Sequence, residues 1–181
     1  MGRNNANPRL FWGTLLTVVA LDVVTKRIAV ERLMPRQLPH DVLGEAVRFT
    51  LVFNPGAAFG LNLGPMSRWI FLALTIAALV ILWKMYRLTQ HGDLPRVLAV
   101  GLVCGGAVGN LIDRIRSSYG VVDFIDVGIG DHRWPTFNVA DMAVTTGALL
   151  LAWVLWSEDR HRAAVPPPEA VSPLPTGTHK L

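Results

Sequence analysis

The chain alternates between charged clusters and four long stretches that lack Asp, Glu, Lys and Arg: residues 10–21, 69–83, 97–112 and 142–156. The first continues through a polar patch to residue 30. With tolerant flanks each reaches roughly 17–21 residues, about the length a hydrocarbon layer requires of a helix. Trp12, Trp69, Trp83, Trp153 and Trp156 lie towards the stretch ends, as in an aromatic belt. The pattern predicts transmembrane helices over about residues 10–30, 68–86, 94–112 and 138–157. Two shorter segments read as strands. Residues 47–53 alternate with period two and end at Asn54-Pro55-Gly56. Residues 121–129 are β-branched and lie between Gly120 and Gly130. Together they predict a β-element over about 40–63 and 119–130. The expected fold class is an all-α membrane protein: four transmembrane helices with a small β-element on the outer side.

Charge sets the orientation. Arg3 and Arg9 precede the first stretch, Lys84, Arg87 and Arg96 surround the second connection, and Arg160 and Arg162 follow the fourth. Four spans put all three groups on one side, which the positive-inside rule makes cytoplasmic, with both termini. The net charge of +4 therefore reads as topology and contact with membrane lipid. No basic stripe with interleaved aromatics points to nucleic acid. The first stretch passes into Asp22 and Lys26 without a small-residue cleavage site, so it reads as an uncleaved helix. Residues 1–162 form one polytopic domain, and the Pro-rich residues 163–181 read as a disordered cytoplasmic tail. The single cysteine, Cys104, lies inside an apolar stretch and reads as a core residue. Gly101, Gly105, Gly106 and Gly109 are small enough to bring helices close together.

Polar residues at the ends of apolar stretches carry the candidate chemistry, because a carboxylate at or inside a membrane is costly. Asp22 and Lys26 share a helix face at i,i+4 and read as a structural salt bridge. Asn110, Asp113 and Arg114 make one polar corner at the close of the third stretch. Asn138 and Asp141 repeat the Asn-x-x-Asp spacing at the start of the fourth. Asp123 and Asp126 lie on opposite faces of an extended strand, so only one can share a pocket with Asp141 without a bulge. His and Cys are too scarce here to favour a metal site, and no cofactor is implied. Two carboxylates that share a proton can hydrolyse a peptide bond without either. A proton path through a small transporter uses intramembrane acids too, and the residues alone leave both open. A purely structural membrane protein is the third reading.

Five blocks then carry a resemblance. Asp22-Val23-Val24-Thr25-Lys26, Asn54-Pro55-Gly56-Ala57-Ala58-Phe59-Gly60, residues 105–114, Val121-Val122-Asp123-Phe124 and Phe137-Asn138-Val139-Ala140-Asp141 resemble, in order, the motifs of bacterial lipoprotein signal peptidases. The resemblance implies a membrane aspartyl endopeptidase of the bacterial inner membrane, with its β-cradle and active site on the periplasmic surface. Its substrates would be diacylglyceryl-modified prolipoproteins, cut just before the lipidated cysteine, and its inhibitors globomycin-type cyclic peptides. It implies a catalytic pair, Asp123 and Asp141. Asn54, Gly56, Asn110, Asp113, Arg114, Asn138 and Ala140 fall on supporting or substrate-binding positions, and Asp22 and Lys26 also match motif positions. A monomer is expected. Pro55 and the additional acid Asp126 depart from the pattern.

Overall fold

The computed structural model describes residues 7–56 and 63–164. Part of the second motif block, Ala57 to Gly60, and the tail from residue 165 lie outside the described residues. Four helices dominate: α1 (Pro8–Arg32), α2 (Ser67–Leu88), α3 (Leu94–Arg116) and α4 (Val139–Ala164). Each contains its charge-free stretch and runs beyond it; α4 begins one residue after the predicted start and continues to Ala164, inside the expected tail. A short 3-10 turn, Gly64–Met66, leads into α2. The starts have local causes. Asn7 and Asp93 accept hydrogen bonds from Leu10 N and Arg96 N, and a proline opens the first turn of both helices.

By length and composition, α2, α3 and the Val139–Arg160 part of α4 are apolar enough to cross a membrane. The second half of α1 carries Asp22, Lys26, Arg27 and Glu31. Helix α3 is the hub, packed against α1, α2 and α4. Its glycines make this possible. A Cβ at Gly106 would overlap the Ala140 carbonyl oxygen, and one at Gly109 would stand 2.5 Å from Asp22 Oδ2. Cys104 is buried in the cluster of Phe11, Tyr86, Val97 and Val100 that joins α1, α2 and α3.

Four antiparallel strands form the sheet, in the order β1 (His40–Leu43), β2 (Val47–Asn54), β3 (Val121–Ile129) and β4 (His132–Arg133). β2 and β3 are the predicted strands. β1 is short and mostly exposed, and β4 has two residues, so neither has a readable alternation. Leu51, Val122 and Phe124 pack on Ala29 and Leu33, which seats the sheet on the end of α1. The β2–β3 register is interrupted between Phe49 and Val52: Arg48 faces Asp126, but Val52 faces Asp123 and Asn54 faces Val121. The extra residue reverses the side on which β2 presents its side chains. Arg48 and Thr50 stay with Asp126, while Val52 and Asn54 join Asp123.

Candidate active site

A cleft of about 740 Å³ opens between the sheet, α3 and α4. Asn54, Asn110, Arg114, Asp123 and Asp141 line it, with an apolar wall that includes Phe53, Trp134, Phe137 and Met142. Asp123 reaches it from β3 by strand alternation and Asp141 from the first turn of α4. Asn138 is the N-cap of α4. Its Oδ1 accepts from Asp141 N at 2.9 Å, and its own backbone N–H donates to Asp141 Oδ2 at 3.2 Å. This is a capping box built with Asp in place of Glu.

The box also orients the Asn138 amide. A backbone N–H can only donate, so the atom that meets it must be the amide oxygen, and Nδ2 turns the other way. There it donates to Asp123 Oδ1 at 2.7 Å and lies 3.2 Å from both Val122 O and Asn110 Oδ1. Fully buried, Asn138 therefore holds both acids at once. Asn54 donates to Asp123 Oδ2 at 3.2 Å, and its own Oδ1 accepts from Gly56 N at 3.0 Å. Asn110 donates to Asp141 Oδ1 at 2.8 Å. All four carboxylate oxygens thus receive a donor. Arg114 reaches Asn110 O and Gly56 O, each at 3.3 Å, and its charge faces both acids.

A second polar cluster lies behind the first. Lys26 Nζ stands 2.7 Å from Asp22 Oδ2, 2.9 Å from Asp113 Oδ2 and 2.9 Å from Asn110 Oδ1. Asp22 Oδ1 accepts from Ala140 N at 2.9 Å, and Asp113 Oδ2 from Val122 N at 3.2 Å. The Asp22–Lys26 pair exists as read, but it is wider than a pair. One buried ammonium joins α1 to α3, and its two carboxylates hold backbone of β3 and α4. Ala140 contributes its backbone N–H, with its side chain fully buried.

Asp126 is elsewhere. It accepts from Thr50 Oγ1 at 3.1 Å and is paired with Arg133 at 2.8 Å. Arg133 also donates to Glu45 O, which ties β4 to the β1–β2 turn. Asp126→Asn is expected to keep peptidase activity within severalfold of the parent and to lower thermal stability, as parallel rate and melting measurements on the purified protein will show. Arg68 was not singled out in the sequence. From the start of α2 it donates to the Arg114 and Ile115 carbonyls, which caps the end of α3. A cation opposes the dipole at its own helix's N-terminus and suits the C-terminus of the next, a match visible only once α2 and α3 are packed.

Burial first, then the neighbouring Asp141 charge, pushes the Asp123 carboxyl from 3.8 up to about 7, against the pull of Asn54, Asn138 and Lys26. The native state keeps this proton to about pH 7, whereas the unfolded chain releases it near 3.8. Between those values the native state binds more protons, so stability falls as pH rises, by a few kcal/mol in all. Melting temperature in detergent is expected to drop between pH 5 and about pH 7, and Asp123→Asn to remove most of that slope.

With this geometry in place, relatives can be compared. The family model described as signal peptidase II matches residues 14–157. A lipoprotein signal peptidase of Halothermothrix orenii is 37% identical over 147 residues, covering 81% of this chain and 94% of that protein. One from Moorella thermoacetica is 41% identical over 142 residues, covering 77% and 88%. A solved structure described as a bacterial membrane enzyme superposes with a TM-score of 0.79 at 28% identity, covering 92% of this chain and 99% of that one. Another described in the same way gives 0.73 at 30% identity, covering 86% and 97%. The match runs from the Asp22 region through Asp141 and takes in both polar clusters, so the chain belongs to the signal peptidase II family of aspartic peptidases.

Proposed function

We propose that Asp123 and Asp141 are the catalytic dyad of this peptidase, which removes signal peptides from diacylglyceryl-modified prolipoproteins just before the lipidated cysteine. The observation that carries the reading is the shared cleft, in which every oxygen of the two acids has a donor. Asp141, held by Asn110 and the α4 cap, is the ionised partner. Asp123, buried in the sheet, is the protonated one. Asp141 takes a proton from a water as the water oxygen attacks the scissile carbonyl carbon. Asp123 gives its proton to the carbonyl oxygen. The tetrahedral diol then collapses: the C–N bond breaks, the amine leaves with the proton held by Asp141, and the diol returns one to Asp123. Arg114, beside both acids and in contact with Gly56, binds a substrate carbonyl, with Asn54 lining the same cleft.

α1 is the fourth span. Its costly groups, Asp22 and Lys26, are buried against α3 and α4, while Leu16, Leu21, Val24 and Ile28 face outwards. In this reading, which follows the basic residues flanking the spans, both termini are cytoplasmic and the cleft is periplasmic, where a lipid-modified cysteine meets it without leaving the bilayer. Globomycin-type peptides occupy the same cleft, and a monomer contains the whole site. The test is a gel assay with purified protein and two forms of one precursor, lipid-modified and unmodified. Cleavage of the modified form alone, blocked by globomycin, is expected. Equal cleavage of both forms contradicts the substrate assignment, and no cleavage of either contradicts the function.

A further inference from the structure

We infer that Lys26 is a positioning residue for the dyad, fixing the Asn110 amide so that it presents a donor to Asp141. The inference rests on the dyad reading above. An asparagine amide can turn over about its last bond and exchange oxygen for NH₂. An ammonium only donates, so the atom of Asn110 that meets Lys26 Nζ at 2.9 Å must be the oxygen. The NH₂ then has one direction left, to Asp141 Oδ1 at 2.8 Å. Turned over, the amide would set NH₂ against NH₃⁺ and oxygen against an ionised Asp141, so both contacts would be lost together.

Asn138 supplies a weaker control of the same kind. Its Nδ2 carries two hydrogens for three acceptors, and Asn110 Oδ1, at 3.2 Å, is farther than Asp123 Oδ1 at 2.7 Å. Lys26 donates to Asn110 Oδ1 at 2.9 Å while ion pairs with Asp22 at 2.7 Å and Asp113 at 2.9 Å hold its ammonium in place. Its two carboxylate partners also grip the backbone beside each acid: Asp22 holds Ala140, next to Asp141, and Asp113 holds Val122, next to Asp123. A plain salt bridge between α1 and α3 would need neither the Asn110 contact nor these two.

A double-mutant cycle separates the two roles. The charge-matched pair replacement D22N/K26M is combined with N110A, and kcat, KM and melting temperature are measured on a lipid-modified precursor. Through-Asn110 action predicts that each change lowers kcat by about 10²-fold, as expected for a misplaced reacting group. KM should stay nearly constant, and the combination should be no slower than the worse of the two. N110D serves as a second arm that does not depend on D22N/K26M folding. It keeps an acceptor for Lys26 but turns a carboxylate towards Asp141, so activity should be largely lost at neutral pH and return in part at lower pH. The charges facing this group are Lys26 and Asp22 on α1, Asp113 and Arg114 on α3, Asp123 on β3 and Asp141 on α4. Full activity of N110D at neutral pH overturns the inference, as does a folded D22N/K26M protein with parental kcat, or losses that multiply. Should D123N and D141N both cleave, the dyad reading fails and takes this inference with it. Should they be inactive while N110D is fully active, only the inference fails.

Discussion

Asp141→Asn and Asp123→Asn are each expected to lower precursor cleavage by about 10³-fold or more, with the folded protein retained in detergent. The two variants fail for different reasons. Asn at 141 cannot take a proton from water, and one of its two atoms becomes an NH₂ facing a donor, Asn110 Nδ2 or the Asn138 N–H. Asn at 123 has no transferable proton for the carbonyl oxygen, yet it removes a buried carboxyl. Residues that act as a unit are not additive in their effects, so the double variant should be hardly slower than either single one. The gel assay of the lipid-modified precursor measures all three. Parental rates in both single variants would show that neither acid is catalytic.

The largest stability effect is expected at Lys26. Lys26→Met should cost about 3–5 kcal/mol, because it strands carboxylates that lost their water on folding. Asp22 is fully buried, and the partly exposed Asp113 keeps the Val122 N–H on the same oxygen. Thermal unfolding in detergent should show a large drop or no folded protein. Adding Asp22→Asn should restore much of the loss, since removing both charges is milder than removing one. Arg27 and Glu31, one residue along the helix, offer the contrast. Their ion pair is 2.9 Å long but exposed, so water and salt screen it and its removal should leave the melting temperature nearly unchanged.

The helices were legible because charge-free stretches in a membrane protein have one structural outcome. Their ends were less so. α3 continues past its apolar stretch to Arg116, with Arg68 closing its carbonyls from another helix. The Asp22–Lys26 pair could be read at i,i+4, but Asn110 and Asp113, its partners on α3, could not, because nothing local links them to α1. Strand alternation separated Asp123 from Asp126 correctly. It could not have placed Asn54 with Asp123, since that depends on the extra residue between Phe49 and Val52, which a period-two reading of residues 47–53 assumes away. Without it Asn54 would lie on the side of Arg48 and Asp126. Among the described residues, three helices meet a length-and-composition measure of spanning; α1 instead carries the buried Asp22 and Lys26, which hold the site together.

The central claim is that one acid works ionised and the other protonated. The most direct measurement is kcat/KM for the lipid-modified precursor across pH 5 to 9. The account predicts a rate that falls through about pH 7, where Asp123 loses its proton. A rate that is flat across this range, or that rises through pH 7 and stays high, would contradict it.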